Sequence, residues 1–329
     1  MLTSLINSND NIFISIACYR DSELIPTIKS AYETADNPDN LFFGIYLQYN
    51  PDEDEKYFDF SCLPKELKIK VKRTLWYRAR GPIYARYVIN NYLYKNQKYY
   101  LQIDSHTRFI KGWDTFLIEE INKLPNYSIL TTYPPGYTRK DGIIERDMCN
   151  IMKFKKLSRG IPIFRTEQEY LETPVRNYFW AAGYSFCEGI VFKKVPFDKY
   201  LKNLFMGEEY LMSLRFYANG IKLYSPHKNV IYTLWDRDYR PTFWEIKNHN
   251  KLKFYFEQLL SYSRLLKISN LFTPDKFVDK YSYDLEKYKI KRETINNFLI
   301  KTNIKSLIDN FDYKKQYKKY YFSLNSDKI

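Results

Sequence analysis

NIFISIACYRDSELIPTIKSAYETADNPDNLFFGIYLQ, residues 11–48, decides the fold. Residues 11–18 are a short apolar run of the length and composition of a buried strand, 22–35 form a helical segment, and 41–48 form a second apolar run. Strand, helix, strand is the βαβ unit of a parallel sheet. The alternation continues outward. An acidic loop, PDEDEKYFD, leads to a basic strand, IKVKRTLWY, and then to a helix from Pro82 to about Leu93. Pro82 suits its first turn, where a missing amide proton costs nothing. The strand KYYLQI follows, then a helix with Trp113, Phe116, Leu117, Ile121 and Leu124 on its apolar positions, then the strand SILTTYP. The expected fold is an open α/β sheet flanked by helices, with ligands bound outside the carboxyl ends of its strands.

From about Thr138 to Arg176 the pattern is irregular, punctuated by Gly136, Gly160, Pro162 and Pro174, and reads as an excursion over the sheet. The alternation returns through YFWAAGYSF and GIVFKKVPF. It ends in MGEEYLMSLRFYANG, a helix with Leu211, Leu214 and Ala218 on one face and an Asn-Gly stop. Beyond Trp244 the chain is mainly helical and basic. The expected division is a catalytic domain over residues 1–245 and a helical C-terminal extension over 246–329 packing on or near it.

Bulk properties narrow the function classes. A chain of 329 residues buries a sizeable core. No stretch reaches the roughly 18–20 apolar residues that span a bilayer, and the first residues lack a basic segment before their apolar run, so no integral membrane association and a cytoplasmic location are expected. Cys18, Cys62, Cys149 and Cys187 are scattered without CxxC spacing, which suggests reduced thiols. The net charge is +14, and from Lys251 onward 17 Lys/Arg face 9 Asp/Glu. Such a tail suits nucleic acid, an anionic surface or an acidic partner, yet lysine also fills solvated positions wherever a biased composition supplies it.

The chemistry concentrates in LQIDSHTRF, residues 101–109. Residues i and i+2 of a strand project to one face, so Asp104 and His106 point together into the crevice at the end of their strand. A carboxylate beside a neutral imidazole makes part of a site for Mn²⁺ or Mg²⁺. The alternative is local: Asp104 or Ser105 caps the next segment and His106 is solvated.

Context favours the metal. RARGPIYARYVINNYLYKNQKYYLQIDSHTRFIKGWD, with the opening segment and with WAAGYSFCEGIVFKKVPFD followed by FMGEEYLMSLRFYANG, resembles the cytosolic N-acetylglucosaminyltransferases that modify hydroxyproline on a ubiquitin-ligase subunit, together with their bacterial and viral relatives. A weaker match runs through LWDRDYRPTFW and FVDKYSYDLEKYKIKRETINNFL. More distantly, WAAGYSF and MGEEYL resemble the Ala-Gly-Gly loop and Gly-Gly-Glu helix start of mucin-type polypeptide N-acetylgalactosaminyltransferases.

The resemblance implies a GT-A fold and a retaining, metal-dependent transfer of N-acetylglucosamine from a UDP-sugar to a protein or glycan hydroxyl. Ser15, Ala17, Tyr19, Arg20, Gln48, Arg78, Arg80, Asp104, Ser105, Ala182 and Gly183 would bind the donor. Among these, Tyr19 would stack on uracil, Gln48 would read its edge, and Arg78 and Arg80 would meet phosphate beside a helix start. Asp104 with Glu208 and Glu209 forms the catalytic set, the glutamates accepting from sugar hydroxyls or orienting the acceptor. Asp104 and His106 would hold the metal. Related sequences often carry a histidine where this chain has Thr233; His227 is taken as the third ligand, with the Thr233 hydroxyl, water or the more distant His249 as alternatives. No side-chain nucleophile is implied. Rival readings are a basic nucleic-acid-binding protein, which lacks an RRM, KH or helix-turn-helix signature here, and a metal-dependent hydrolase using Asp104, His106 and His227.

Overall fold

A computed structural model describes residues 10–273 and 283–326; the stretch 277–282 of the weaker match lies outside them. The strands are β1 (Ile12–Tyr19), β2 (Leu41–Tyr49), β3 (Lys68–Leu75), β4 (Tyr99–Asp104), β5 (Thr107–Phe109), β6 (Ser128–Thr131), β7 (Cys149–Ser158), β8 (Ile161–Glu169), β9 (Val175–Asn177), β10 (Tyr184–Glu188), β11 (Lys222–Ser225) and β12 (Ile231–Thr233). Eight of them form one sheet in the order β3-β2-β1-β4-β10-β6-β11-β9.

Strands β3, β2, β1 and β4 are mutually parallel, as the βαβ pattern predicts, but β10 enters antiparallel between β4 and β6, and β9 runs antiparallel to β11 at the far edge. The sheet is therefore mixed. Side chains alternate between two cores. Ile12, Ile14 and Ile16 pack with Leu24, Ile28, Trp113 and Leu117 of the helices Leu24–Thr34 and Trp113–Lys123. Phe13 and Tyr100 point the other way, into a cluster that includes Leu211 and Leu214 of the helix Glu208–Ala218 and Leu265 and Phe298 of two C-terminal helices. The helices thus cover both faces of the sheet.

The excursion expected at 138–176 contains order the sequence did not announce. Strands β7 and β8 pair as an antiparallel hairpin over Cys149–Glu169, turned by Arg159 and Gly160 in the left-handed region, with a bulge between Phe154 and Lys156. The adjacent Lys155 and Lys156 at the bulge and the polar run from Arg165 to Glu169 hid the strand period. Among the described residues no helix is long and apolar enough to cross a membrane.

Candidate active site

Parallel register places the site. Ala17 pairs with Asp104 across β1 and β4, and Tyr19 pairs with Gln48 across β1 and β2, so three strands end at one level. Above them opens a cavity of about 410 Å³, lined by Ala17, Tyr19, Gln48, Asp104, Ser105, His106, Ala182, Gly183, Glu208, Glu209 and Thr233. These eleven sequence-derived candidates come together at the carboxyl ends of the strands.

His106 is aimed by a residue the sequence reading passed over. Asp21, just past β1, is fully buried, and its Oδ2 lies 2.7 Å from His106 Nδ1 and accepts from the Ser105 hydroxyl at 2.6 Å. Burial alone would raise the Asp21 carboxyl; the pairing with His106, together with Arg240 and Ser105, outweighs it and holds the group far below the usual carboxylate range. With Nδ1 committed to Asp21, Nε2 faces Asp104 Oδ2 at 3.7 Å. Asp104 is likewise held below its ordinary value, against its burial, by His106, Arg86, Arg237 and Arg240.

Arg86, on the helix Pro82–Val88, bridges the carboxylates: its guanidinium lies 3.4 Å from Asp104 Oδ1 and 2.5 Å from Glu208 Oε2. Glu208 is 4% exposed and its second oxygen has no partner among the described residues. Burial pushes its carboxyl up despite Arg86. Glu209 is held by the Tyr133 hydroxyl and, at 3.0 Å, by the Ala182 backbone amide; burial raises it to about 7. Gly183 leaves room for the Asp104 carboxylate, because a Cβ there would sit 2.9 Å from Asp104 Oδ2 and force it to shift. Gln102 fixes the neighbouring loop by donating to the Ala182 carbonyl at 2.6 Å.

Other candidates lie elsewhere. Ser15 is buried beneath the cavity floor. Arg20, in the left-handed region at φ 49°, turns its guanidinium away to Glu53, Asp54 and Glu245. Arg78 and Arg80 line a neighbouring cavity with His249. His227 is not brought to Asp104 and His106: the loop between β11 and β12 seats it against the helix Trp113–Lys123, with Nδ1 2.9 Å from Glu120 and its ring on Phe116. Thr233 does line the cavity, its buried hydroxyl unpartnered among the described residues.

The donor set was tested against a divalent ion. Among the described residues no group of three or more His, Cys, Asp or Glu side chains converges as a metal site. Asp104 and His106 fit two positions, since a carboxylate behind the imidazole is the usual second partner of a metal-bound histidine, and the orphaned Thr233 hydroxyl adds an oxygen in the same cavity. Arg237 contacts His106 Nε2, so its guanidinium sits where a cation is wanted. Arg86, Arg237, Arg240 and Tyr133 carry no motif of their own; Arg86 sits inside the quoted segment PIYAR, and Arg237 and Arg240 inside LWDRDYRP, the one signal available for them.

Among curated proteins none matches this sequence. Among solved structures, GalNAc-T7 with UDP, GalNAc and Mn²⁺ superposes with a TM-score of 0.58 at 16% identity, covering 93% of this chain and 57% of that one. The chain thus spans little more than half of that protein's length. A mannosyltransferase from Pyrobaculum calidifontis with GDP-Man and Mn²⁺ gives 0.49 at 8% identity, covering 97% and 88%; S. aureus TarS with UDP-GlcNAc gives 0.46 at 13%, covering 95% and 92%. The last two superpose too loosely to bear on the fold, whereas GalNAc-T7 agrees with a GT-A sheet flanked by helices. A family model described as "Glycosyltransferase (GlcNAc)" matches residues 11–65 and 57–298, nearly the whole described length, and with the motif order and cavity above it establishes that the chain belongs to this glycosyltransferase family.

Proposed function

We propose that this chain is a metal-dependent retaining transferase that moves N-acetylglucosamine from UDP-N-acetylglucosamine to a hydroxyl of a protein or glycan, in the cytoplasm. The observation that carries the reading is the Asp21–His106–Asp104 array at the strand ends, with the buried Glu208 and the half-buried Glu209 lining the same cavity, about 410 Å³ in volume. Asp104 and His106 would hold Mn²⁺ or Mg²⁺, which neutralises charge developing on a leaving diphosphate.

The chain's own groups do the rest. Tyr19 and Gln48 line the end of the cavity where β1 and β2 finish, a place for the uracil. Ala182 and Gly183 let the backbone approach the sugar ring. Glu208, fixed by Arg86, has a free buried oxygen that accepts from a sugar hydroxyl. Arg237 meets no carboxylate in an ion pair among the described residues and would turn from His106 to the diphosphate when a metal binds. Among the described residues no carboxylate pair stands free for acid and base work on a glycosidic bond, which favours attack from the face that UDP leaves, with a phosphate oxygen taking the acceptor proton. Four unpaired thiols suit a reducing compartment.

The test is thermal denaturation with UDP and Mn²⁺, separately and together, followed by a hydrolysis screen of UDP- and GDP-sugars. Joint stabilisation greater than the sum of the separate shifts, with UDP-N-acetylglucosamine hydrolysed fastest, is expected. No coupling between nucleotide and metal would overturn the metal assignment; preference for another sugar would overturn the donor.

A further inference from the structure

Arg78 and Arg80, displaced from the catalytic cavity, line a second cavity of about 350 Å³ together with Tyr77, Asn203, His249 and Lys253. The two cavities are adjacent, since Gly81 and Pro82, which follow Arg80 directly, line the catalytic one. Three cations surround the second space. Arg80 has one acidic neighbour, Glu257 at 3.6 Å, whereas Arg78 and Lys253 have no ion-pair partner among the described residues. The positive end of the 18-residue helix Lys251–Ile268 opens onto the same space through Asn250 and Lys253. A cavity holding this much uncompensated positive charge is built for an anion.

Two further features call for more than a bare anion. Asn203 is 1% exposed, lies in the left-handed region at φ 54°, and leaves its buried Oδ1 without a partner while its Nδ2 donates to Glu257 at 2.8 Å. An orphaned buried acceptor on a strained residue asks for a donor, such as a hydroxyl. Beside it the half-buried ring of Tyr77 and the exposed ring of His249 lie 4.7 Å apart and inclined by 33°, lining the cavity with aromatic surface on which the apolar side of a sugar can rest.

We propose that this cavity binds a phosphorylated sugar residue, with the phosphate on Arg78, Arg80 and Lys253, a hydroxyl on Asn203, and the ring on Tyr77 and His249. Its position one residue from the catalytic cavity makes it the subsite for a phosphate-bearing glycan acceptor, an assignment that rests on the transferase reading; the anion site itself does not.

Calorimetric titration of the full chain with a hexose 6-phosphate, the unphosphorylated hexose and inorganic phosphate tests it. The hexose phosphate is expected to bind at least about tenfold more tightly than either of the others, with affinity falling as salt rises. The double variant Arg78→Ala, Lys253→Ala alters exposed side chains and should fold, as circular dichroism would verify, yet lose about tenfold or more in hexose phosphate affinity. Unchanged affinity in that variant, or displacement of the hexose phosphate by UDP, overturns the site. Equal binding of inorganic phosphate overturns the sugar and leaves a simple anion. Transfer assays with phosphorylated and unphosphorylated glycans then separate the two layers: binding without any transfer refutes the transferase reading alone, and transfer indifferent to the phosphate refutes the acceptor assignment alone.

Discussion

Asp21 determines what His106 can do. Because the buried carboxylate occupies Nδ1, Nε2 is the imidazole nitrogen left to face Asp104 and the cavity. Asp21→Asn keeps the shape but removes the charge that fixes the tautomer, so Mn²⁺ affinity is expected to fall by about 10–100-fold with the fold retained; a Mn²⁺ titration giving wild-type affinity would show that the pair is not a metal site. Gly183 acts through distance. An alanine Cβ 2.9 Å from Asp104 Oδ2 has to displace that carboxylate, so Gly183→Ala should lower donor turnover by about tenfold while costing on the order of 1 kcal/mol in stability. Equal losses of turnover and stability would assign the glycine to packing alone. Glu209 gives a pH signature. Its folded pKa of about 7 lies above the 4.5 of a free glutamate, so the fold prefers the protonated form. That contribution is complete below about pH 4.5 and is lost as pH rises through 7, a difference on the order of 3 kcal/mol. Glu209→Gln should flatten the decline of Tm between pH 5 and 8, and an unaltered slope would relocate the titrating group.

At the scale of elements, legibility followed the hydrophobic period. β1, β2 and β4 are apolar nearly throughout because both faces are covered, and they read directly as strands. β7 and β8 pair mainly with each other and turn half their residues to solvent, so Gly160 and Pro162 stood out where the ladder did not. The insertion of β10 between β4 and β6 is a matter of order in space that no local pattern carries. The site followed the same rule. Asp104, Glu208 and Glu209 sit at a strand end and a helix start, places a sequence reveals; Arg86 and Arg237 reach the cavity, and Asp21 reaches His106 behind it, through tertiary packing. His227 failed for the converse reason, being near Thr233 in sequence but carried away by the turn after β11. The helix Arg292–Lys301 shows how far packing reaches: Phe298 is fully buried against Phe179, Tyr210 and Tyr217, drawn from the segment before β10 and from the helix Glu208–Ala218. Phe298→Ala should cost about 3–5 kcal/mol, measurable by urea denaturation, and a cost below about 1 kcal/mol would mean that this helix is not seated on the sheet.

For the molecule as a whole, we propose that residues 246–329, the helical extension expected to pack on or near the catalytic domain, share one core with it. One apolar cluster runs from Phe13 and Tyr100 of the sheet through Leu211 and Leu214 to Leu265, Leu266, Phe298 and Ile308. Polar ties cross the same boundary. The buried Arg264 holds the buried Asp198 at 2.6 Å, and Tyr313 donates to the Gly160 carbonyl at 2.7 Å. Removing the C-terminal helices would bare one face of the sheet and leave Asp198 buried without its cation, a loss of about 3–5 kcal/mol from that pair alone and comparable to much of a domain's net stability. The full chain is therefore expected to unfold in one cooperative thermal transition, coincident by fluorescence and circular dichroism. A fragment ending at residue 245 should show no cooperative transition and should bind a hydrophobic dye. A fragment that melted cooperatively and retained UDP binding would refute this, and would show a catalytic domain that folds without the helices packed on it.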